Sequence, residues 1–238
     1  GFKSFYCNDC TDKLDYYTSE WKKLGFQPDG IYTGFLSSEK QVDKILDFIN
    51  SFETENTLVL VDPVMGDGGR TYSLFTDALA CKMKKLVTVA DVITPNLTEC
   101  CILCDVDYCE FIKNADKPDF MDKIAELGKN LLNRYGVKIV IITGIEHKDI
   151  DGTMYVQNLI ASKDEVFSVS CKKIGGSYSG TGDLFASVMF SGLLRGDTLR
   201  DTVSLAVKFI ESSLRDTVAL GIDRNEGIEF EKHLKILL

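Results

Sequence analysis

The sequence predicts an α/β protein in which a mostly parallel central sheet is covered by helices on both faces. Three observations lead there. Runs such as Leu58–Val61 and Ile139–Ile142 are apolar without alternation, the pattern of strands buried on both sides. Between them lie stretches with apolar residues three and four apart, as in Val42, Ile45, Leu46 and Ile49. The two kinds of segment alternate along the chain, which indicates strand–helix–strand units rather than a sandwich.

The elements follow in order. Thr11–Leu24 reads as a helix with a Thr/Asp start and Gly25 as its stop, with Trp21, Tyr16 and Tyr17 as packing residues. Gly30–Thr33 is a short strand ending in Gly34, Ser38–Phe52 an amphipathic helix and Thr57–Val61 a buried strand. Asp77–Val89 is helical, Asp91–Ile93 is a strand running into Thr94-Pro95-Asn96, and Leu97–Cys104 is helical again. Asp119–Tyr135 forms a helix closed by Gly136, and Val137–Thr143 a buried strand stopped by Gly144. Met154–Leu159 and Glu165–Cys171 alternate as an antiparallel pair would. Gly182–Arg195, Asp201–Arg215 and Gly227–Leu238 complete the set as helices.

The bulk numbers narrow the function. A chain of 238 residues suits one α/β domain spanning 1–238. A formal charge of −9 argues against general nucleic-acid binding, which needs a basic footprint. It leaves room for phosphate, since backbone N–H groups and a metal ion build such a site locally. No apolar run approaches a membrane span, and Gly1-Phe2-Lys3-Ser4 shows no secretion signal, so a cytoplasmic location is expected. Of the eight cysteines, Cys7 and Cys10 resemble half of a zinc site, but no second pair follows at ribbon-like spacing. Cys100, Cys101 and Cys104 fit one helix as small buried residues, and reduced thiols are expected throughout.

In parallel sheets ligands bind beyond the carboxyl ends of the strands. Three such ends carry the polar and turn residues: Asp62-Pro63-Val64-Met65-Gly66-Asp67, Thr94-Pro95-Asn96 and Thr143-Gly144. A further loop, Gly175-Gly176-Ser177-Tyr178-Ser179-Gly180-Thr181-Gly182-Asp183, opens onto an apolar helix. Glycines before a helix start let N–H groups converge on an anion, and the helix dipole adds positive potential. Asp183 there reads either as an ordinary N-cap or first-turn carboxylate or as a general base toward an incoming hydroxyl. Asp62 and Glu99 read either as exposed strand-end and first-turn carboxylates or as metal ligands. No Walker motif and no dinucleotide fingerprint is present.

Together, Asp62-Pro63-Val64-Met65-Gly66-Asp67-Gly68-Gly69, Thr94-Pro95-Asn96-Leu97-Thr98-Glu99, Ile141-Ile142-Thr143-Gly144 and Gly180-Thr181-Gly182-Asp183-Leu184-Phe185-Ala186 occur in an informative order. That order and spacing resemble the pyridoxal kinase branch of the ribokinase superfamily. Tyr32-Thr33-Gly34-Phe35 resembles the same branch, and the Asp-Pro-Val-Met-Gly-Asp run is closer to vitamin kinases than to sugar kinases. The resemblance implies a ribokinase-like fold and ATP-dependent phosphorylation of the hydroxymethyl group of a B6 vitamer. It implies Asp183 as catalytic base, with Gly180, Thr181 and Gly182 as the anion hole around the transferring phosphoryl. Asn96, Thr143 and Gly144 would serve the nucleotide, and Asp62 and Glu99 would organise Mg²⁺, Glu99 through water. Phe35 would stack on the substrate ring where relatives carry tyrosine, and Tyr72 would approach substrate from the loop after Asp67. A monovalent cation is a possible further requirement. Relatives carry a strand and a helix ahead of the segment matching Gly1-Phe2-Lys3. The resemblance therefore implies an N-terminally truncated domain, with an unpaired sheet edge covered by a partner chain or a rearrangement. A homodimer is expected. Two alternatives stay open: a hydroxymethylpyrimidine kinase, and a catalytically weak vitamin- or nucleotide-binding protein.

Overall fold

The computed structural model describes residues 4, 6 and 8–238. Its centre is a six-stranded sheet built from β1 (Gly30–Thr33), β2 (Leu58–Val61), β5 (Val92–Ile93), β6 (Ile139–Lys148), β7 (Met154–Ser162) and β8 (Val166–Lys172), in that spatial order. The first four pair in parallel and the last three antiparallel, as the alternation predicts. Two small strands, β3 (Gly66–Asp67) and β4 (Arg70–Thr71), form a separate hairpin beside the main sheet.

Helices cover both faces. On one lie α2 (Glu39–Phe52), α3 (Asp77–Val87), α4 (Leu97–Cys104) and α6 (Phe120–Tyr135). Their Val42, Leu79, Cys100 and Ile124 join Val59, Val61 and Ile93 of the sheet in one core. On the other lie α7 (Thr181–Arg195) and α8 (Leu199–Leu220), whose Met189 and Phe209 pack with Leu60, Val92 and Ile141 in a second core. Adjacent strand residues thus feed opposite cores, which is why the strands are apolar without alternation. The helix boundaries have local causes. Ser38, Thr76 and Thr198 accept N-terminal amides through their side chains, and Gly136 and Gly221 take left-handed conformations at C-terminal ends.

Several elements depart from the sequence reading. Thr11–Lys13 is a 3-10 turn leading into α1 (Leu14–Lys23), and α1 buries none of its residues. Trp21 packs on Phe26, Phe48 and Phe52, whereas Tyr16 and Tyr17 are exposed rather than packed. β6 does not stop at Gly144; it continues to Lys148 across an irregularity between Ile142 and Ile145, because β7 supplies an antiparallel partner beyond it. Gly144, with φ of 70°, provides the left-handed residue there. Residues 227–238 are not an α-helix: a loop leads into a 3-10 segment, Glu231–Leu237. There the Glu229 N–H donates to Thr217 Oγ1 (2.9 Å) instead of entering a helical ladder, and Phe230 and Ile236 pack on the second core. A short helix, α5 (Tyr108–Ile112), capped by Asp107, lies outside the helices read from the sequence.

Candidate active site

The alternation of side chains along the strands builds the site. Leu60, Val92 and Ile141 face α7 and α8, so Asp62 and Thr94, two residues further on, project from the ends of β2 and β5 toward the same face, joined by Thr143 at the irregularity within β6. The backbone keeps these ends in register. The Asp62 N–H donates to Thr33 O (2.8 Å), and the Thr143 N–H donates to Pro95 O (2.9 Å) beside a bridge between Asn96 and Thr143.

Asn96 caps α4 in a reciprocal capping box. Its Oδ1 accepts from the Glu99 N–H (3.0 Å), and Glu99 Oε2 accepts from the Asn96 N–H (2.8 Å). Glu99 Oε1 accepts from the Met65 N–H (3.0 Å), and Asn96 Nδ2 donates to Gly66 O (2.8 Å). The pair therefore fastens the loop after β2 to the start of α4. Glu99 is not exposed, as read from the sequence, but 3% accessible. Burial pushes its carboxyl up to about 8, with the Asp62 charge adding to the shift and the backbone N–H donors opposing it. Burial likewise pushes Asp62 up to about 7, and Asp183 contributes in the same direction. The Thr94 hydroxyl opposes that shift, although Thr94 Oγ1, like Thr33 Oγ1, is buried without a hydrogen bond of ordinary geometry.

Across the cleft, the glycine loop ends in Gly180, the N-cap of α7, held at φ of 81°. Asp183 is therefore not the N-cap but a first-turn residue, and α7 has no side-chain cap. The first helical amide with an internal partner is that of Leu184, 3.0 Å from Gly180 O, so the amides ahead of it remain available. Nothing lies within 4 Å of a Cβ placed on Gly180 or Gly182. Open amides at a helix start can receive an anion. Asp183 Oδ1 and the Tyr32 hydroxyl lie 3.9 and 3.7 Å from a Cβ placed on Gly34, so the end of β1 and the start of α7 meet here. A cavity of about 370 Å³ opens at the same helix start, lined by Gly180 and Asp183 on one side and Ile222 and Phe230 on the other.

The structure thus brings Asp62, Glu99, Asp183 and Tyr72 into one electrostatic neighbourhood: Tyr72 is raised by burial and by the nearby carboxylates Glu99, Asp67, Asp62 and Asp183. Phe35 is exposed beside Gly34 at the mouth. Thr143 lies at the irregularity of the neighbouring strand, β6, and the Gly144 N–H donates to the buried Asn158 side chain (3.2 Å). Asn158 lies outside the motifs, and Tyr32, though part of one, carries no role in the sequence reading. Tyr32 had a signal, since strand alternation puts it on the face of Asp62. Asn158 had none, because its role depends on the β6 irregularity.

Asp62 and Glu99 are oxygen donors of the kind that Mg²⁺ takes. Among the described residues no group of three or more His, Cys, Asp or Glu could enclose a metal. Mg²⁺ does not require one, since it takes one or two carboxylates, phosphate oxygens and several waters. The Thr94 hydroxyl beside Asp62 is a further oxygen of that kind. Cys7 of the zinc half-site lies outside the described residues; the other seven cysteines are free thiols. Among the described residues no helix is long and apolar enough to cross a membrane.

A mostly parallel sheet with helices on both faces, open amides at a helix start and carboxylates near the strand ends define a ribokinase-like protein. The chain belongs to the phosphomethylpyrimidine kinase family, whose model matches residues 22–227. It is 29% identical over 171 residues to a Schizosaccharomyces pombe protein provisionally named a pyridoxal kinase, covering 70% of this chain and 47% of that one. It is 27% identical over 198 residues to a Staphylococcus aureus hydroxymethylpyrimidine/phosphomethylpyrimidine kinase, covering 83% and 66%. The chain thus spans about half to two-thirds of these relatives. Among solved structures, a Bacteroides thetaiotaomicron protein, provisionally named a phosphomethylpyrimidine kinase and crystallised with pyridoxal, superimposes with a TM-score of 0.88. It is 36% identical, over 99% of this chain and 80% of that one.

Proposed function

We propose that this protein transfers the γ-phosphoryl group of ATP to the hydroxymethyl group of a B6 vitamer. The observation that carries the reading is the position of Asp183: in the first turn of α7, beside open amides, and facing the end of β1. In the proposed step Asp183 takes the hydroxymethyl proton, and the substrate oxygen bonds to the γ-phosphorus as its bond to the bridging oxygen of ADP breaks. ADP departs, and the proton stays on the Asp183 carboxyl until solvent removes it. The amides of Thr181, Gly182 and Asp183 hold the phosphoryl oxygens. Thr143 and Gly144 line the nucleotide's path, Asn96 keeps the strand ends aligned, and Phe35 and Tyr72 enclose the acceptor ring. Asp62 would hold Mg²⁺, and Glu99, whose oxygens each retain a lone pair, would reach it through water. The ion neutralises phosphate charge when bound.

A second reading, phosphorylation of hydroxymethylpyrimidine, is favoured by the family match and by the Staphylococcus aureus relative. A coupled ADP-release assay with pyridoxal, pyridoxine, pyridoxamine and hydroxymethylpyrimidine separates the two. Turnover of the pyridines is expected. Turnover of the pyrimidine alone establishes the second reading, and turnover of none refutes both.

A further inference from the structure

β1 lies along α7 in a fixed position. A Cβ on Gly30 would sit 2.7 Å from Phe190 and 2.9 Å from Leu194, so the strand approaches this helix as closely as a residue without a side chain permits. Two residues on, the Tyr32 ring packs on Phe190, with centroids 6.3 Å apart. Two further on, Gly34 lies beside Asp183. The strand thus runs from the C-terminal half of α7 toward its start, and the Tyr32 ring carries its hydroxyl toward Asp183 in the first turn.

That hydroxyl faces Asp62 and Asp183 through space and is hydrogen-bonded to neither. A half-buried phenol without a bond to the carboxylates around it retains a donor for a third partner. If the reacting hydroxyl of the acceptor is hydrogen-bonded to Asp183, the next substituent on its ring is the group within reach of Tyr32.

We propose that Tyr32 is a specificity-determining residue for the acceptor: its hydroxyl donates a hydrogen bond to an oxygen substituent next to the reacting hydroxymethyl group. The inference rests on the reading that such a ring acceptor binds at Asp183. It selects within that class. An acceptor with oxygen at the neighbouring position gains a hydrogen bond, and one with a methyl group there does not.

Pyridoxine and 4-deoxypyridoxine differ by that one oxygen. Their dissociation constants for the wild-type protein and for Tyr32→Phe, measured by titration calorimetry, form a closed cycle. Phenylalanine keeps the packing on Phe190 and removes only the hydroxyl. The wild type is expected to prefer pyridoxine by roughly 3- to 10-fold, the scale of one neutral hydrogen bond. Tyr32→Phe is expected to bind both compounds within about 2-fold of each other. The wild-type comparison needs no variant, so equal affinities there already overturn the proposal. A pyridoxine preference that persists in Tyr32→Phe also overturns it and leaves the vitamer reading standing. A wild type that binds neither compound removes the vitamer reading and this inference with it.

Discussion

Glu99 has both oxygens committed to backbone amides and little access to water, so its charge state is coupled to folding. The ordinary carboxyl values of 3.8 for Asp62 and 4.5 for Glu99 rise to about 7 and about 8 in the folded chain. A raised folded value means the native state binds protons more tightly than the unfolded one. The associated stability is complete below the unfolded values and is lost as pH rises through the folded ones. In EDTA, the urea midpoint is therefore expected to fall between about pH 4 and pH 8. Glu99→Gln should flatten that fall, at the cost of one amide's acceptor at low pH. Mg²⁺ added at pH 8 should raise the wild-type midpoint, since it favours the ionised carboxylates. A midpoint that rises with pH in EDTA would contradict the burial argument. Asp183→Asn tests another property at the same scale. Asparagine preserves shape and removes basicity, so vitamer phosphorylation should fall by roughly 10²- to 10⁴-fold. ATP affinity, followed by calorimetry, should hold or rise. Because Gly180 is the N-cap, melting should barely change, and near-normal turnover would remove Asp183 from catalysis.

At the scale of the element, the start of α7 separates folding from function within two glycines. Gly180 needs its left-handed conformation, whereas Gly182 has helical geometry and open space around it. Gly182→Ala should leave the protein as stable or up to about 1 kcal/mol more stable, since alanine is the better helix former. Its methyl group would intrude on the proposed anion site, so kcat/KM for ATP should fall at least about 10-fold. Thermal melting beside steady-state kinetics checks both signs, and unchanged kinetics would place the phosphates elsewhere. Elements like this one were legible because their signals are local: a glycine loop, a cap, an apolar period. The helix start at Ser38 and the closing, left-handed Gly136 are of that kind. What escaped depends on partners distant in sequence. Residues 227–238 carry apolar spacing that suits a helix, yet the contact of Glu229 with Thr217 holds them in another form. Gly144 reads as a strand stop until β7 is known to lie beside it. In the site, the motif residues were visible, but the burial of Glu99 arises where α4 meets the loop after β2, and the approach of Tyr32 to Asp183 arises from the packing of β1 on α7.

At the scale of the whole molecule, β1 forms one margin of the sheet, with a hydrogen-bonded neighbour in β2 and none on its other side among the described residues. Margins of this kind recruit further strands or partners unless something covers them. The helix preceding it buries nothing of its own, and Tyr16, Tyr17, Trp21, Leu24 and Phe26 in that region are exposed. Large apolar side chains exposed singly are ordinary, but several within eleven residues suggest a contact surface. A homodimer through this surface is therefore expected. Sedimentation velocity at micromolar concentration should give a species near twice the 26.5 kDa chain mass. Replacing Tyr17 and Trp21 together by glutamate should shift it to the monomer, because two buried charges at such an interface lack partners. The exposed sites make this double change inexpensive to the fold, and retained melting behaviour verifies that. Turnover then separates assembly from chemistry. Asp62, Glu99 and Asp183 all belong to one chain, so the monomeric variant should keep its kcat within a few-fold. A wild type that sediments as a monomer refutes the dimer, and a dimer indifferent to the two glutamates assigns its interface to another face.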